Sequence, residues 1–313
     1  MTKKISSTGW LLAGTCLILF FNACAVKTAP SPRLAINRAG VRSSPYGPTQ
    51  GFPDPGYWLQ TALSMSSRFY GSTPSLVWIV GIMEPHDENM PTETFTGRVK
   101  LSFPAPEGAY PEIVFADVDA NEAYLEQFDQ QGFQVWLQVE PANADVETLI
   151  DLVLNRYGRH PCVIGFGIDV EWHRWSKENN EGVEVSDIQA QAWCERVRAH
   201  NPRYRLFLKH WLASKMPPTY RLGLTFFDDS QEFTSFAEQL EEFTQWGKDF
   251  APSPVGFQIG YPADRIWWRQ LADPPSDIGR SILARVPNTS DVYWVDFTME
   301  EIWPPGNPAP VKK

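Results

Sequence analysis

Cysteine is scarce, four in 313 residues, and no C-x-x-C pair, H-E-x-x-H motif or Cys/His cluster at metal-ligand spacing occurs. A metal centre is therefore not expected, nor is any cofactor. Basic residues are also in short supply: 27 Lys and Arg face 37 Asp and Glu, for a net charge of -10. Nucleic acid and anionic membrane surfaces are gripped by clustered Lys and Arg, so nucleic acid is excluded as a partner and an anionic membrane surface is disfavoured. Long apolar runs are missing too, since the longest, Trp10 to Phe21, is too short to cross a bilayer as a helix. What the chain does have is 43% hydrophobic residues, enough for a packed core, together with 13 Trp and a surplus of acids. Flat aromatic faces beside carboxylates serve both sugar binding and acid/base hydrolysis.

Lys3 and Lys4 ahead of the apolar run, with small residues Ala23, Cys24 and Ala25 behind it, give the layout of an export signal over residues 1–23. Two cleavage readings stand. Phe21-Asn22-Ala23-Cys24 resembles a bacterial lipobox, which would make Cys24 a lipidated first residue and anchor the protein to a membrane of the cell envelope; Ala23-Cys24-Ala25 also fits ordinary cleavage after Ala25 and secretion. Residues 24–56, rich in Pro, Gly, Ser and Thr without an apolar period, read as a flexible tether, and the prolines of 304–313 as a disordered tail. Between them lies one domain, 57–303. It holds Cys162 and Cys194, which export would allow to form a disulfide; two buried free thiols are the alternative.

Eight short β-branched or aromatic runs punctuate that domain: Leu76 to Met83, Ile113 to Val118, Phe133 to Val139, Val163 to Val170, Tyr204 to His210, Leu222 to Phe227, Val255 to Tyr261 and Asp291 to Phe297. Helical stretches alternate with them, opened by Asp119, Asn143, Ser186 and Asp229 as candidate caps. Strand and helix alternating in this way predict an α/β fold, a single-domain (β/α)8 TIM barrel. No strong helix follows the eighth run, and the amphipathic stretch Tyr57 to Tyr70 is expected to fill the place of that last barrel helix. An open doubly wound sheet is the alternative.

Period-two parity assigns faces. In the third run Val135, Leu137 and Val139 face the helices, while Gln134, Trp136, Gln138 and Glu140 face the lumen. In the fourth, Ile164, Phe166, Ile168 and Val170 face outward and Val163, Gly165, Gly167, Asp169 and Glu171 inward; in the seventh, Gly256, Gln258 and Gly260 face inward. Barrel enzymes work at the C-terminal ends of their strands, where Asp117, Glu140, Asp169, Glu171, Asp228 and Asp296 gather with His210 and Trp211. Asp119 and Asp229 read as helix caps. Asp169-Val170-Glu171 differs from the isolated acids: two carboxylates at i and i+2 on one face push their pKa values apart, leaving one protonated and one ionised. Glycoside hydrolysis needs that division, an acid for the leaving oxygen and a carboxylate to attack or to stabilise positive charge.

The segment GFGIDVEW resembles the fourth-strand signature of glycoside hydrolase families 18 (chitinase-like) and 25 (muramidase-like). Of the family 18 pattern D-x-x-D-x-D-x-E, Asp169 and Glu171 match the last two acids, and Ile164 and Gly167 stand at the earlier ones. VGFQIGYP and the YWVD around Trp294 are similar to family 18 segments as well, where the strand-eight Trp floors the sugar site; Phe226 and Phe227 stand where that family has a Tyr that steadies the N-acetyl group. The family 25 acid of strand one is absent from LVWIVGIM. The kinship is at superfamily level. It implies a polysaccharide or oligosaccharide as partner, with N-acetylated sugars such as peptidoglycan or chitin-like glycans in view.

The expectation is thus an exported glycoside hydrolase with Glu171 as general acid and Asp169 as its partner or nucleophile. Glu140, His210, Gln258, Asp296, Asp117 and Asp228 would position water or sugar hydroxyls, and Trp136, Trp172, Trp211 and Trp294 would offer stacking faces. A non-catalytic sugar-binding barrel and an envelope scaffold lipoprotein are the rivals. The polar run His173 to Glu184 is either a lid over the site or a solvated connection.

Overall fold

The computed structural model describes residues 36–84, 96–176 and 178–306; the export signal, Cys24, residues 24–35 of the expected tether and 307–313 of the expected tail lie outside them. Eight parallel strands close on themselves: β1 (Arg38–Ser43), β2 (Thr73–Glu84), β5 (Gln134–Val139), β6 (Val163–Asp169), β7 (Arg205–Lys209), β8 (Leu224–Asp228), β9 (Val255–Ile259) and β10 (Thr289–Trp294). Closure comes from β1, which pairs in parallel with β10 on one side and β2 on the other. The fold is a (β/α)8 barrel, as the alternation predicts, and not an open sheet.

One barrel strand differs from the expectation. The first is Arg38–Ser43, inside the stretch read as tether, whereas the run at Ile113 is β4 (Ile113–Phe115), which pairs only with β3 (Arg98–Leu101) in an excursion off the end of β2. The reason is chemical. Only Ala39 and Val41 of β1 face the helices, and its inward positions carry Arg38, Gly40 and Arg42, so the strand has almost no hydrophobic signature. Helix α1 (Pro55–Ser66), capped by Asp54, thereby becomes the connection from β1 to β2. It also meets the chain end: Tyr57 donates to the Trp303 carbonyl at 2.6 Å and Trp303 Nε1 to Ser64 at 2.8 Å. Among the described residues, a 3-10 turn (Asp296–Thr298) and the single turn α8 (Met299–Ile302) follow β10.

Helices α2 (Glu122–Gln130), α3 (Val146–Tyr157), α4 (Asp187–His200), α5 (Phe236–Phe250), α6 (Arg265–Trp268) and α7 (Pro274–Arg285) complete the outer layer. Their caps correct two of the four expected. Ser186 does open α4, through a reciprocal capping box with Gln189, and Asp119 does receive the backbone N–H groups of Asn121 and Glu122 at the start of α2. Asp145 rather than Asn143 caps α3, and Ser235 rather than Asp229 caps α5. The last substitution releases Asp229 for another task.

Two hydrophobic cores result, one between strands and helices and one inside the barrel, the latter made of Val77, Trp136, Phe207, Phe227 and Tyr293. Phe207 stacks on Phe227 at 4.3 Å and Trp136 meets Phe207 edge-on at 5.4 Å. Such volume fits only because facing positions are glycine: a Cβ on Gly167 would lie 2.0 Å from the Phe207 ring, and one on Gly165 2.6 Å from Trp136. Below this layer Arg38 and Asp291 pair at 2.6 Å, with Tyr293 and Trp136 also donating to Asp291, so the lumen floor is sealed by a satisfied polar cluster. Parity holds along most of β6 but reverses at its start. The register shifts between Val135 and Trp136, so that Ile164 packs on the inner core and Val163 on the outer.

Gly40 gives a direct test of closure. A Cβ there would sit 1.6 Å from the Ser75 carbonyl oxygen of β2, a backbone atom that cannot rotate away. Gly40→Ala is expected to cost at least the upper end of the ~1–3 kcal/mol typical of overpacking, read as a lower midpoint in urea unfolding.

The cysteines do not pair. Cys162 and Cys194 are both buried free thiols: the first, ahead of β6, has its backbone N–H on Asp129 at 2.8 Å, and the second sits on α4, where burial pushes its thiol up to about 11. Neither thiol is expected to react with a soluble disulfide reagent in the folded domain. Both should react at once in denaturant without any reductant, which counting the released chromophore would check.

Candidate functional site

The strand parity that fills the lumen with Trp136, Phe207 and Phe227 also decides what stands two residues further on. Beyond Trp136 come Gln138 and Glu140, beyond Gly167 comes Asp169, beyond Phe207 comes Lys209, and beyond Phe227 comes Asp229. At the C-terminal mouth Gln138, Asp169, Lys209 and Asp229 form one hydrogen-bonded group. Lys209 Nζ lies 2.9 Å from Asp169 Oδ2 and also holds Asp229 Oδ2, while Gln138 Nε2 donates to Asp169 Oδ2 at 3.4 Å. Tyr261 donates to Gln258 Oε1 at 3.2 Å and reaches Asp229 Oδ2 at 3.5 Å. Two oxygens sharing a single Nζ are no more than about 6 Å apart, because each bond spans about 3 Å.

A second arm reaches the mouth from β1. Arg42 Nη2 pairs with Asp296 Oδ1 at 2.7 Å, and Ser44 donates from both N and Oγ to Asp296 Oδ2 at 2.5 Å. Tyr46 donates to Glu140 Oε1, whose other oxygen accepts from Met83 N at 2.9 Å. This arm is the part of the mouth that the sequence conceals, since it comes from the strand with no hydrophobic signature.

Charge is unevenly distributed. Burial raises the Asp169 carboxyl to about 7, with Lys209 opposing and Asp229 and Glu140 adding to the rise. Desolvation likewise holds Glu171 well above the usual carboxyl range, Lys209 again opposing and Asp169, Asp229 and Glu140 reinforcing. Glu140 is shifted upward by burial, though the bonds from Tyr46 and Met83 resist it. Lys209 goes the other way from a typical buried lysine: burial works against its charge, but Asp169 and Asp229 keep it firmly protonated.

Glu171 does not continue the strand. The chain turns into a single 3-10 turn, Val170–Trp172, directly after Asp169, which leaves Glu171 partly exposed at the rim while Asp169 is 1% exposed. The two acids expected side by side are thus divided into a buried, lysine-bound one and a rim one. The polar run behind them is no free lid. Val183 N donates to the His173 carbonyl at 2.7 Å, Lys215 Nζ to Gly182 O at 2.9 Å, and His210 Nε2 to Glu181 O at 2.8 Å. Gly182, with φ of 68°, allows this close return, because a Cβ there would be 2.2 Å from the Val170 carbonyl oxygen.

Several expected contacts lie elsewhere. His210 has both ring nitrogens engaged, Nδ1 accepting from Leu212 N at 2.8 Å, and burial lowers its pKa to about 4, so it is a neutral clamp on the loop that follows Glu171. Trp136 is wholly inside the barrel. Trp294 faces the helices, packed on Trp268 at 5.4 Å with its Nε1 on Thr298, because the inward positions of β10 are Asp291 and Tyr293. Asp228 has the outward parity of β8 and accepts from Ser230 N at 2.8 Å, and Asp117 is exposed beyond β4, outside the barrel wall. Asp296 has each oxygen bound to Arg42 or Ser44 and ties β10 to β1. Trp172 and Trp211 do stay at the mouth, partly exposed, Trp172 at 5.9 Å from Trp175 and Trp211 at 4.2 Å from His210. Among the described residues no group of acidic, His or Cys side chains could hold a metal ion.

Lys209, Asp229, Tyr261, Arg42 and Tyr46 are the mouth residues the sequence reading missed. Parity carried through YRLFLKH from Phe207 would have found Lys209, and through LTFFDD from Phe227 would have found Asp229. No such signal exists for Arg42 and Tyr46.

No family model and no curated protein matches the sequence. Among solved structures, a Bacteroides thetaiotaomicron protein assigned as an alpha-L-fucosidase aligns with a TM-score of 0.52 and 10% identity, over 90% of this chain and 91% of that one. A Bacteroides fragilis protein assigned as a beta-galactosidase aligns at 0.45 and 9% over 87% of this chain and 38% of its own. The intracellular xylanase of Thermoanaerobacterium saccharolyticum aligns at 0.44 and 12% over 83% of this chain and 86% of its own. The first likeness establishes a shared barrel fold; the other two are too loose to argue from.

Proposed function

We propose that the protein is a glycoside hydrolase that cleaves a polysaccharide by carboxylate acid/base chemistry. Glu171 is the general acid: it protonates the glycosidic oxygen as the C–O bond breaks, and the leaving sugar departs as an alcohol. Asp169, whose ionised form Lys209 favours, attacks or stabilises the positive charge left on the sugar, and water completes the hydrolysis. Glu140, Gln138 and Gln258 orient the substrate, and Trp172 and Trp211 flank it. The protein acts outside the cytoplasm, exported by residues 1–23 and anchored through lipid on Cys24, on an amino-sugar polymer such as peptidoglycan or a chitin-like glycan.

One observation carries this reading: a rim carboxyl pushed well above the usual range shares the C-terminal mouth of a (β/α)8 barrel with a buried, lysine-bound Asp169. The activity assigned to the Bacteroides thetaiotaomicron neighbour, an alpha-L-fucosidase, belongs to the same reaction class and supports it. The test is the appearance of new reducing ends when the protein is incubated with peptidoglycan, chitin-like and plant-type glycans. Release from one class supports hydrolysis. Binding on a glycan array with no new reducing ends on any of them would favour a sugar-binding barrel instead, the reading favoured by the engagement of Asp169 Oδ2 by both Lys209 and Gln138.

A further inference from the structure

Among the described residues the mouth has more carboxyl groups than cations, and three of its unmet buried polar atoms are acceptors. Among the described residues, Glu140, Asp169, Glu171 and Asp229 face the ammonium of Lys209, while the guanidinium of Arg42 pairs through Nη2 with Asp296 at 2.7 Å. The remaining titratable neighbours add no positive charge: His210 is neutral and turned to Glu181, and the phenols of Tyr46 and Tyr261 donate to Glu140 and Gln258. Independently of that imbalance, three buried oxygens in this group have no donor: Gln138 Oε1, Asp169 Oδ1 and Asp229 Oδ1. Gln138 is 0% exposed and its amide is fixed by the bond to Asp169, so its oxygen is not satisfied by bulk water.

Resting on the reading of this mouth as a sugar site, we propose that it takes a sugar residue carrying an unsubstituted, protonated amine. An ammonium brings three N–H donors and one positive charge, which answers three orphan acceptors and the carboxylate surplus together. An N-acetyl group brings one N–H and a carbonyl, and so adds an acceptor where acceptors are already in excess. Neutral hydroxyls supply donors but no charge. Of the unpartnered buried donors here, Arg42 Nε and Gln258 Nε2, the second, beside Tyr261, suits a ring hydroxyl of the same sugar. On a partly deacetylated polymer, such a site selects the deacetylated positions.

Linkage gives the pH dependence its sign. A bound cation favours ionised carboxylates, so binding expels protons from Asp169, whose carboxyl sits at about 7 in the free protein. Affinity for the amine therefore rises with pH through that range and falls once the amine itself deprotonates.

The experiment is calorimetric titration of the Glu171→Gln protein, which cannot consume its ligand, with a glucosamine oligomer and with its fully N-acetylated counterpart of equal length. The free-amine oligomer is expected to bind at least about tenfold tighter at about pH 7 and to lose most of that advantage at about pH 5. Asp229→Asn should remove most of the preference; the pH comparison needs no such variant and stands even if that variant fails to fold. Equal affinities, tighter binding of the N-acetylated oligomer, a preference independent of pH, or no binding of either oligomer would overturn the proposal. Hydrolysis is judged separately, by reducing ends released by the unmodified protein, so the two readings fail by different measurements.

Discussion

Glu171→Gln is expected to lower turnover by about 10²–10⁴-fold, the range general acid catalysis contributes, and to leave the unfolding midpoint unchanged or slightly higher. The stability half of this expectation follows from protonation. Glu171 is held above the normal carboxyl range by desolvation and by Asp169, Asp229 and Glu140, which favours its neutral form. Gln is close to its isostere and removes a source of repulsion. What Gln cannot do is release a proton to the leaving oxygen. The pH profile of kcat/KM sharpens the test. Catalysis requires Asp169 ionised and Glu171 protonated, so the rate should climb as pH passes about 7 and fall at higher pH as Glu171 ionises. These limbs belong to the coupled pair rather than to either residue alone. In Glu171→Gln the alkaline limb should vanish while the acidic one persists. Unchanged turnover, or a profile with both limbs intact, would remove Glu171 from the chemistry.

Lys209→Met should be the most damaging single change for stability, costing about 3–5 kcal/mol near neutral pH, the penalty of breaking a buried ion pair and stranding its partner. Two carboxylates lose their cation here, at positions 1% and 4% exposed. The loss depends on pH with a definite sign. Without Lys209, which now opposes the rise of the Asp169 carboxyl, that group moves above about 7. A carboxyl whose folded pKa is raised stabilises the fold below its unfolded value of about 4, and that contribution is lost as pH rises through the folded value. The variant should therefore approach the parent in acid and fall away from it above neutrality. Urea unfolding across pH would show a gap that widens with pH. A gap constant from pH ~5 to ~8 would mean that Lys209 acts through packing alone.

The barrel was legible because its central strands carry strong signals. FQVWLQV and VIGFGIDV are β-rich and the glycines of the second fall on the inward side, so both strand and face follow from alternation, apart from the register shift that turns Ile164 inward. β1 was not legible, because Arg38, Gly40 and Arg42 occupy the inward positions and neutralise the signal that Ala39 and Val41 would give. With β1 missing, IVF was taken into the barrel in its place, although it pairs only with β3.

The candidate site divides along the same line. Gln138, Glu140, Asp169 and Gln258 stand at the lumen mouth where alternation placed them, since the direction of a strand side chain is a local property. Trp294 and Asp228 lie on the outward side because each is one residue out of phase with the inward Tyr293 and Phe227. His210, Asp296 and Trp136 are already committed to protein partners, which strand period cannot reveal.

By itself the sequence determined the scarcity of basic residues, the alternation of strands and helices, and the convergence of acids at strand ends. All three follow from composition and from a period of two or 3.6 residues, which are local. Only the tertiary structure decided which acids remain available. Closure by β1 brings Arg42 to Asp296 and Tyr46 to Glu140 across more than ninety residues of chain, and the adjacency of β6, β7 and β8 sets Lys209 between Asp169 and Asp229. Partners so far apart in sequence leave no periodic trace, and it is they that separate the lysine-bound Asp169 from the rim carboxyl of Glu171.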